Sequence, residues 1–335
     1  MFREAAQGAR AVLTHLQTSA AVIEQLSAKL RHLAPRAVVT CARGSSDHAA
    51  TFAKYLIETR LGVLTSSAAP SVSSLYDART DLRETLFLVI SQSGASPDLL
   101  AAARGAKSAG ALVVACVNAE KSPLSELADC CIPLCAGEES SVAATKSFIA
   151  SLAAVTHLVA RWAGDDDLLA ALVQAPDQLE RAWQLDWSAA AARLRSATDL
   201  YVLGRGLGLA IAQEAALKLK ETSGLHAEAL SAAEVLHGPM ALVRGAFPVL
   251  MFVQSDETRA GVESLAQQLA ARGTDVMLAG AELPNIASLP SLRSHPAIEP
   301  MLMIQSFYRM VSSLSLARGF DPDRPPNLSK VTETV

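Results

Sequence analysis

Aromatic and charged residues are scarce in this chain of 335 residues. Aromatic side chains make up 4% and charged ones 19%, whereas hydrophobic residues reach 50%. Few aromatics beside abundant Ala and Leu favour helices over an all-β sandwich, and the apolar fraction is enough for a large core. The length indicates about two domains.

Basic clusters and long apolar runs are missing as well. The net charge is −4, and no Lys/Arg run is interleaved with aromatics, so we expect no nucleic-acid partner. The first residues, "MFREAAQGAR", carry charges where a signal peptide needs an apolar core. The longest uncharged helical segment, Ser147–Ala160, is too short to span a bilayer and contains His157. We therefore expect a cytoplasmic protein with no membrane partner.

No residue pattern predicts a metal or nucleotide cofactor. Cys130, Cys131 and Cys135 lack the paired spacing of a zinc site, while Cys41 and Cys116 lie in apolar, strand-like runs. We interpret all five as buried free thiols. The stretch "GRGLGLA" resembles a dinucleotide fingerprint, but no acidic residue ends a following strand at the required distance.

Strand-like runs, polar turns and helical segments alternate along the chain. Apolar residues at helical spacing over residues 3–34 predict a helix that ends before Pro35. Three strand–turn–helix units follow, "RAVVTCARGSSDHAATFAKYLIE", "TLFLVISQSGASPDLLAAARGAKSAG" and "ALVVACVNAEKSPLSELAD". This alternation predicts a parallel sheet with helices on both faces.

Two of these units recur later in the sequence. "LYVLGRGLGLAIAQEAALKLKE" repeats the first unit and "FPVLMFVQSDET" the second, so that Arg43 matches Arg205 and Gln92 matches Gln254. Both pairs lie 162 positions apart, which indicates an internal duplication. We therefore predict an α/β fold of two tandem, doubly wound parallel-sheet lobes, each a flavodoxin-like sandwich.

The duplication also predicts how the chain is divided. We expect an N-terminal helical segment over residues 1–34, a first lobe over 35–163 and a second lobe over 191–320. A charged helical linker, 164–190, joins the lobes, and residues 321–335 form a C-terminal tail.

The polar turn inside "LFLVISQSGASPDLL" has two interpretations. Its serines could cap the following helix, or the turn could cradle an anion on unpaired backbone N–H groups. The second copy reads "QSDE", and its acidic residues would repel an anion, so we predict a phosphate site in the first lobe only. Gly44 would let the backbone approach the ligand closely. The remaining candidate ligands are polar residues of this turn and of the first one: Ser91, Gln92, Ser93, Ser96, Ser45 and Ser46.

Five motifs in order resemble the sugar isomerase (SIS) family. They are "RGSSDHA", "SQSGASPD", "AGEESSVAATKSF", "ALKLKETSGLHAEALSAAEVLHGP" and "NLSKVTETV", and they are similar to the isomerase half of glutamine–fructose-6-phosphate aminotransferase. The resemblance runs from about residue 35 to the end. The printed sequence contains no glutaminase domain and no N-terminal nucleophilic cysteine, so it looks more like the stand-alone glucosamine-6-phosphate deaminases of this family.

This resemblance implies a homodimeric enzyme that needs no cofactor. It implies a small phosphosugar substrate, with glucosamine 6-phosphate converted to fructose 6-phosphate and ammonia. Three related activities stay open: deamination of galactosamine 6-phosphate, deamination of a fructosamine-type phosphate, and ammonia-dependent synthesis of glucosamine 6-phosphate. A non-catalytic sugar-phosphate sensor is the alternative outside the enzymes.

The resemblance also implies the catalytic residues. Glu221 matches the family's base, which moves a proton between C1 and C2, and His237 matches the histidine that opens the sugar ring. Lys330 matches a tail lysine that reaches the sugar carbonyl in the aminotransferases. His226 and Glu228 are secondary candidates.

Two further positions match residues that line the sugar in the family. They are Val142 and Ala144, and Ala144 stands where the aminotransferases usually carry serine. We interpret four other charged residues as structural or supporting: Lys146, Glu139, Arg43 and Arg205.

Overall fold

The computed structural model describes residues 1–76, 78 and 80–330. Its contacts divide the chain into two compact units. The N-terminal unit comprises Arg10–Glu139, Lys146–Val173 and the tail from Ser329, and the C-terminal unit comprises Met1–Ala9, Ser140–Thr145 and Gln174–Leu328. The linear boundaries expected from the sequence stay a prediction, and residues 331–335 of the expected tail lie outside the described residues.

The N-terminal unit is built on a five-stranded parallel sheet. Its strands are β1 (Ala37–Cys41), β2 (Leu64–Ser67), β3 (Thr85–Ser91), β4 (Leu112–Val117) and β5 (Cys130–Pro133). Their order in the sheet is β2-β1-β3-β4-β5. The helices that begin in this part of the chain are α1 (Phe2–Ala5), α2 (Gly8–Leu33), α3 (Ser45–Leu61), α4 (Pro70–Ser74), α5 (Pro97–Ser108), α6 (Pro123–Leu127), α7 (Lys146–Ala163) and α8 (Asp166–Trp183). Helix α1 belongs to the C-terminal unit, and α2 and α8 each cross a unit boundary.

Helices cover both faces of this sheet, as the continuous apolar pattern of its central strand requires. All seven residues of β3 are buried, which is typical of a parallel strand between two helical layers. Phe87 and Val89 pack with Leu99 and Ala103 of α5 on one face. On the other face α3 contacts β1 and β3 and packs against α7.

The C-terminal unit repeats this architecture. Its strands are β6 (Asp199–Gly204), β7 (His226–Ser231), β8 (Pro248–Phe252), β9 (Asp275–Ala279) and β10 (Ala287–Leu289), and its further helices are α9 (Ser188–Leu194), α10 (Leu207–Ser223), α11 (Arg259–Ala271) and α12 (Glu299–Ala317). Two short 3-10 turns, Glu234–His237 and Pro239–Leu242, follow β7. The sheet order is β7-β6-β8-β9-β10.

The two sheets correspond strand by strand. Val39 pairs with Phe87 in the first sheet, and Tyr201 pairs with Val249 in the second, so both members shift by the sequence offset of 162. The parallel register is therefore preserved in both copies. The predicted fold of two tandem doubly wound lobes is confirmed.

The prediction of five buried thiols is only partly correct. All five cysteines are free, and Cys41 and Cys116 are buried in central strands. The prediction is wrong for Cys130, Cys131 and Cys135, which are half-buried. The first two belong to β5, whose place at the edge of its sheet leaves them partly uncovered.

Candidate active site

The predicted phosphate turn lies where β1 and β3 end side by side. These strands are parallel neighbours, and the chain leaves β1 toward α3 and leaves β3 toward α5. From β1 the sheet continues to β2, whereas from β3 it continues to β4 in the opposite direction. Ligands of open α/β sheets bind at such a switch point, beyond the carboxyl ends of the strands.

The first turn of the candidate site enters α3 through Gly44. Its backbone has φ 54° and ψ −131°, which strongly favours glycine. A Cβ placed on Gly44 would have no heavy atom within 4 Å, so the space beside this backbone is open. Ser45 and Ser46, the first residues of the helix, are half-buried.

The second turn leads from β3 into α5. The Ser91 hydroxyl is buried and accepts a hydrogen bond from the Gly94 N–H at 3.0 Å, so its oxygen shapes the turn. The Ser93 hydroxyl accepts the Ala95 N–H at 3.3 Å. Ser96 occupies the cap position of α5 but makes no side-chain capping bond. Simple capping therefore does not account for Ser96. Gln92, in the same turn, is half-buried.

The equivalent turn of the C-terminal unit is occupied by its own side chains. The Gln254 amide donates to the Arg205 carbonyl at 2.7 Å and to the Asp256 carboxylate at 2.9 Å. The Ser255 backbone N–H and hydroxyl both donate to Glu299, at 2.6 and 2.9 Å. The carboxylates of Asp256 and Glu299 thus accept the polar donors of this turn, and Glu299 belongs to α12 and not to the acidic turn sequence.

Glu221 belongs to a buried network of charged groups in the C-terminal unit. Its Oε2 atom accepts a hydrogen bond from the Lys218 ammonium at 2.5 Å, and the Glu221 side chain is 19% exposed. The ammonium also lies 3.5 Å from Glu214, whose carboxylate accepts the Tyr308 hydroxyl at 3.0 Å. Lys218 and Glu214 are completely buried.

His237 and the secondary candidates are more open to solvent. His237 is exposed and ends the first 3-10 turn, just before Gly238 with φ 136°. His226 and Glu228 are both exposed on β7, an edge strand of the second sheet.

The segment with Val142 and Ala144 is anchored from two directions within the C-terminal unit. Both residues are half-buried. The Glu4 carboxylate of α1 accepts the Ser140 N–H at 2.6 Å, and the Asp323 carbonyl accepts the Val142 N–H at 3.4 Å. Burial alone would raise the pKa of Glu4, but hydrogen bonds from Ser141 and Ser140 bring it below its ordinary value.

Lys330 pairs with a buried carboxylate in the N-terminal unit. Its ammonium lies 3.8 Å from Glu139, whose side chain is completely buried while that of Lys330 is 27% exposed. Glu139 also accepts the backbone N–H of Ser147 at 3.3 Å and its hydroxyl at 2.5 Å. The first turn of α7 therefore fixes the carboxylate that holds the tail lysine.

The structure brings some predicted residues together and adds others. The hydroxyl residues of the two first-lobe turns share one sheet edge. Glu221 contacts Lys218, and Lys218 in turn lies beside Glu214, the partner of Tyr308. The sequence signal for Lys218 was a lysine on the apolar side of a helix, three positions before Glu221. Among the described residues, no group of His, Cys, Asp and Glu could hold a metal ion, and no helix is long and apolar enough to cross a membrane.

Comparison with known proteins identifies the family of both lobes. The SIS domain model matches residues 34–161 and 193–316. A solved structure from Silicibacter pomeroyi, described as that of a phosphosugar isomerase, is 44% identical in sequence. The match covers 96% of this chain and 99% of that chain, with a TM-score of 0.93. The C-terminal domain of the glucosamine-fructose-6-phosphate aminotransferase of Francisella tularensis is 27% identical over 96% of this chain and 97% of its own, with a TM-score of 0.87.

A curated relative is the isomerizing glutamine–fructose-6-phosphate aminotransferase of Aeropyrum pernix. It is 35% identical over 312 residues, which are 87% of this chain and 50% of that protein. The chain thus spans about half the length of the curated relatives it matches.

Proposed function

We propose that this chain, which belongs to the SIS domain family, is a phosphosugar enzyme. Its proposed reaction is the deamination of glucosamine 6-phosphate. The reaction consumes water and yields fructose 6-phosphate and ammonia. The similarity to a protein described as a phosphosugar isomerase supports the phosphosugar class. The similarity to aminotransferases that act on fructose 6-phosphate supports an amino sugar.

The Lys218–Glu221 pair is the observation that carries the proposal of catalysis. Charged groups are costly to bury unless they are paired, so a buried lysine requires carboxylates beside it. Lys218 is buried, whereas Glu221 keeps 19% of its side chain exposed, so this carboxylate remains accessible at the end of the network. A sugar-binding sensor has no need for a buried ammonium behind an accessible carboxylate.

The proposed reaction begins with recognition of the phosphate and opening of the ring. The serine-bearing turns at the ends of β1 and β3 bind the 6-phosphate through hydroxyl and backbone N–H groups. His237 moves a proton between O5 and O1, which converts the ring to the open-chain aldehyde.

Proton transfer between C2 and C1 follows in the proposed mechanism. Glu221 removes the C2 proton, and the electron pair moves through the C1 carbonyl to give an enolamine. The proton then returns at C1, which leaves an imine at C2, and water adds to that carbon to release ammonia and the ketone. The C1 carbonyl is the group that accepts the electron pair released at C2. The Lys330 ammonium, held by Glu139, would stabilise negative charge on the carbonyl oxygen.

The reverse reaction is a second candidate because the curated relatives transfer an amino group to fructose 6-phosphate. Synthesis would use the same residues, with ammonia adding to the C2 ketone. Rates measured in both directions, with ammonium or glutamine as the nitrogen source, distinguish this activity from deamination.

Ammonia release from a panel of amino-sugar phosphates tests the proposal. We expect purified protein to release ammonia and fructose 6-phosphate from glucosamine 6-phosphate faster than ammonia from the galactosamine or fructosamine phosphates. Isomerisation without ammonia release would contradict deamination. A sugar phosphate that stays bound and unchanged for hours would indicate a sensor instead.

A further inference from the structure

Arg43 and Asp98 join the two turns of the candidate phosphate site. Arg43 lies between β1 and α3, and Asp98 is the second residue of α5. The Nε and Nη2 atoms of the guanidinium lie 2.8 and 2.7 Å from the same Asp98 oxygen, Oδ2. The two residues are 55 positions apart along the chain, and their contact connects the starts of α3 and α5.

Asp98 is fixed much more firmly than a surface carboxylate. Its side chain is 1% exposed, and its Oδ1 atom accepts the Leu99 backbone N–H at 2.8 Å. The Arg43 side chain is 53% exposed. Because a buried carboxylate needs a compensating partner, Asp98 restrains Arg43, and with it the turn that enters α3.

The second repeat lacks this connection. Arg205 occupies the position 162 residues after Arg43, but the position 162 after Asp98 is Ala260. This repeat is also the one whose polar turn is filled by Asp256 and Glu299. The Arg–Asp pair thus occurs in the lobe whose turn carries serines, whereas the lobe whose turn is filled by carboxylates has Ala260 in place of Asp98.

We propose that Arg43 and Asp98 are positioning residues that hold the two serine-bearing turns at the spacing required by the phosphate of a sugar phosphate. This inference rests on the proposed function. It gives a specific role to Arg43, which the sequence pattern indicated as structural or supporting, and adds Asp98, which the sequence pattern did not indicate. The pair acts through the turns: Asp98 anchors Arg43, Arg43 fixes the loop before Gly44, and the hydroxyls of the two turns then face one dianion. A guanidinium provides two directed donors on one plane, whereas a lysine provides a single point charge.

The experiment compares Arg43→Lys with Arg205→Lys, the same change in the other repeat. Calorimetry measures the dissociation constant for fructose 6-phosphate, and steady-state kinetics with glucosamine 6-phosphate give KM and kcat. Arg43→Lys keeps the charge but loses the two-donor geometry, so we expect roughly tenfold weaker binding and a higher KM with kcat within about twofold. Arg205→Lys should leave all three quantities unchanged.

Asp98→Asn and the double variant Arg43→Lys/Asp98→Asn test whether the two residues act as one unit. Both changes break the same connection, so their effects on affinity should not add. We expect the double variant to bind fructose 6-phosphate about as tightly as whichever single variant has the lower affinity. Thermal unfolding of each variant shows whether it is folded at the assay temperature.

The outcomes separate this inference from the proposed function. If the wild-type protein binds no sugar phosphate, both are wrong. If it binds fructose 6-phosphate and folded Arg43→Lys binds equally well, only the inference is wrong. Equal losses in Arg43→Lys and Arg205→Lys would also overturn it, since the second lobe has no such pair.

Discussion

The Nζ atom of Lys218 lies 2.5 Å from the Oε2 atom of Glu221, one helical turn further along α10. The lysine side chain is 1% exposed and the carboxylate 19%. A buried ammonium therefore stands directly behind the carboxylate that we propose as the base. This arrangement makes the function of Glu221 testable apart from its contribution to folding.

Glu221→Gln should reduce turnover by about 100-fold or more, since a positioned proton-transfer group contributes about that much. Binding of fructose 6-phosphate should be largely retained, because the amide has the same shape. Exchange of deuterium at C2 of the substrate measures the step directly. Glu282→Gln, which changes an exposed carboxylate outside the candidate site, is the matched control. Label exchange by Glu221→Gln at the wild-type rate would rule Glu221 out as the base.

Lys218→Met should destabilise the protein strongly. It removes the ammonium that lies between Glu214 and Glu221 and leaves buried negative charge without that partner. Removal of one partner of a buried ion pair costs about 3–5 kcal/mol in the free energy of unfolding, which urea denaturation measures. Lys220→Met, an exposed lysine of the same helix, should cost far less. Similar losses in both variants would contradict the buried network.

Ser93→Ala should weaken binding of 6-phosphate ligands without much change in melting temperature. One hydrogen bond to a charged group contributes about 1.5–3 kcal/mol, so affinity should fall roughly 10- to 150-fold. Ser255→Ala is the equivalent change in the second repeat, where the hydroxyl donates to the buried Glu299. That variant should lose stability and keep its affinity. An equal loss of affinity in both variants would contradict a single phosphate site.

A buried histidine pair should make folding sensitive to acid. His15 Nε2 and His157 Nδ1 lie 3.4 Å apart in the N-terminal unit. Burial lowers the pKa of His15, and burial followed by the charges of His15 and Arg161 lowers the pKa of His157 from 6.5 to about 4. Between pH 6.5 and about 4, His157 is protonated in the unfolded chain but not in the folded protein. The free energy of unfolding therefore falls as the pH decreases from 6.5 toward about 4.

His157→Gln should reduce this pH dependence, whatever its effect on stability at neutral pH. One proton changes the folding equilibrium by up to about tenfold per pH unit, so urea unfolding at several pH values resolves the slope. His32→Gln, an exposed histidine near the end of α2, is the control. An unchanged slope in His157→Gln would show that other groups cause the acid sensitivity.

The sequence predicted the elements of the fold well because their signals are local. The apolar run before Ser91 predicted the buried strand β3, Pro35 predicted the end of α2, and the repeated Arg-Gly and Gln-Ser pairs predicted two matching sheets. The cysteines show the limit of this approach. An apolar context correctly predicted buried thiols at Cys41 and Cys116. The other three were predicted to be buried because their spacing does not fit a zinc site, but Cys130 lies in an edge strand, and a strand's place in the sheet is not a local property.

By itself, the sequence determined the fold class, the duplication and which turn carries hydroxyls rather than carboxylates. The spacing of apolar residues and the residues found in turns are local properties of the sequence. The constant offset of 162 positions between the two repeats can also be found by comparing the sequence with itself. Only the tertiary structure decided the partners: Asp98 for Arg43, Glu139 for Lys330 and Glu299 for Ser255. These pairs are separated by 44 to 191 positions, and a partner at that distance is selected by how the strands and helices pack and by the need of a buried charge for compensation.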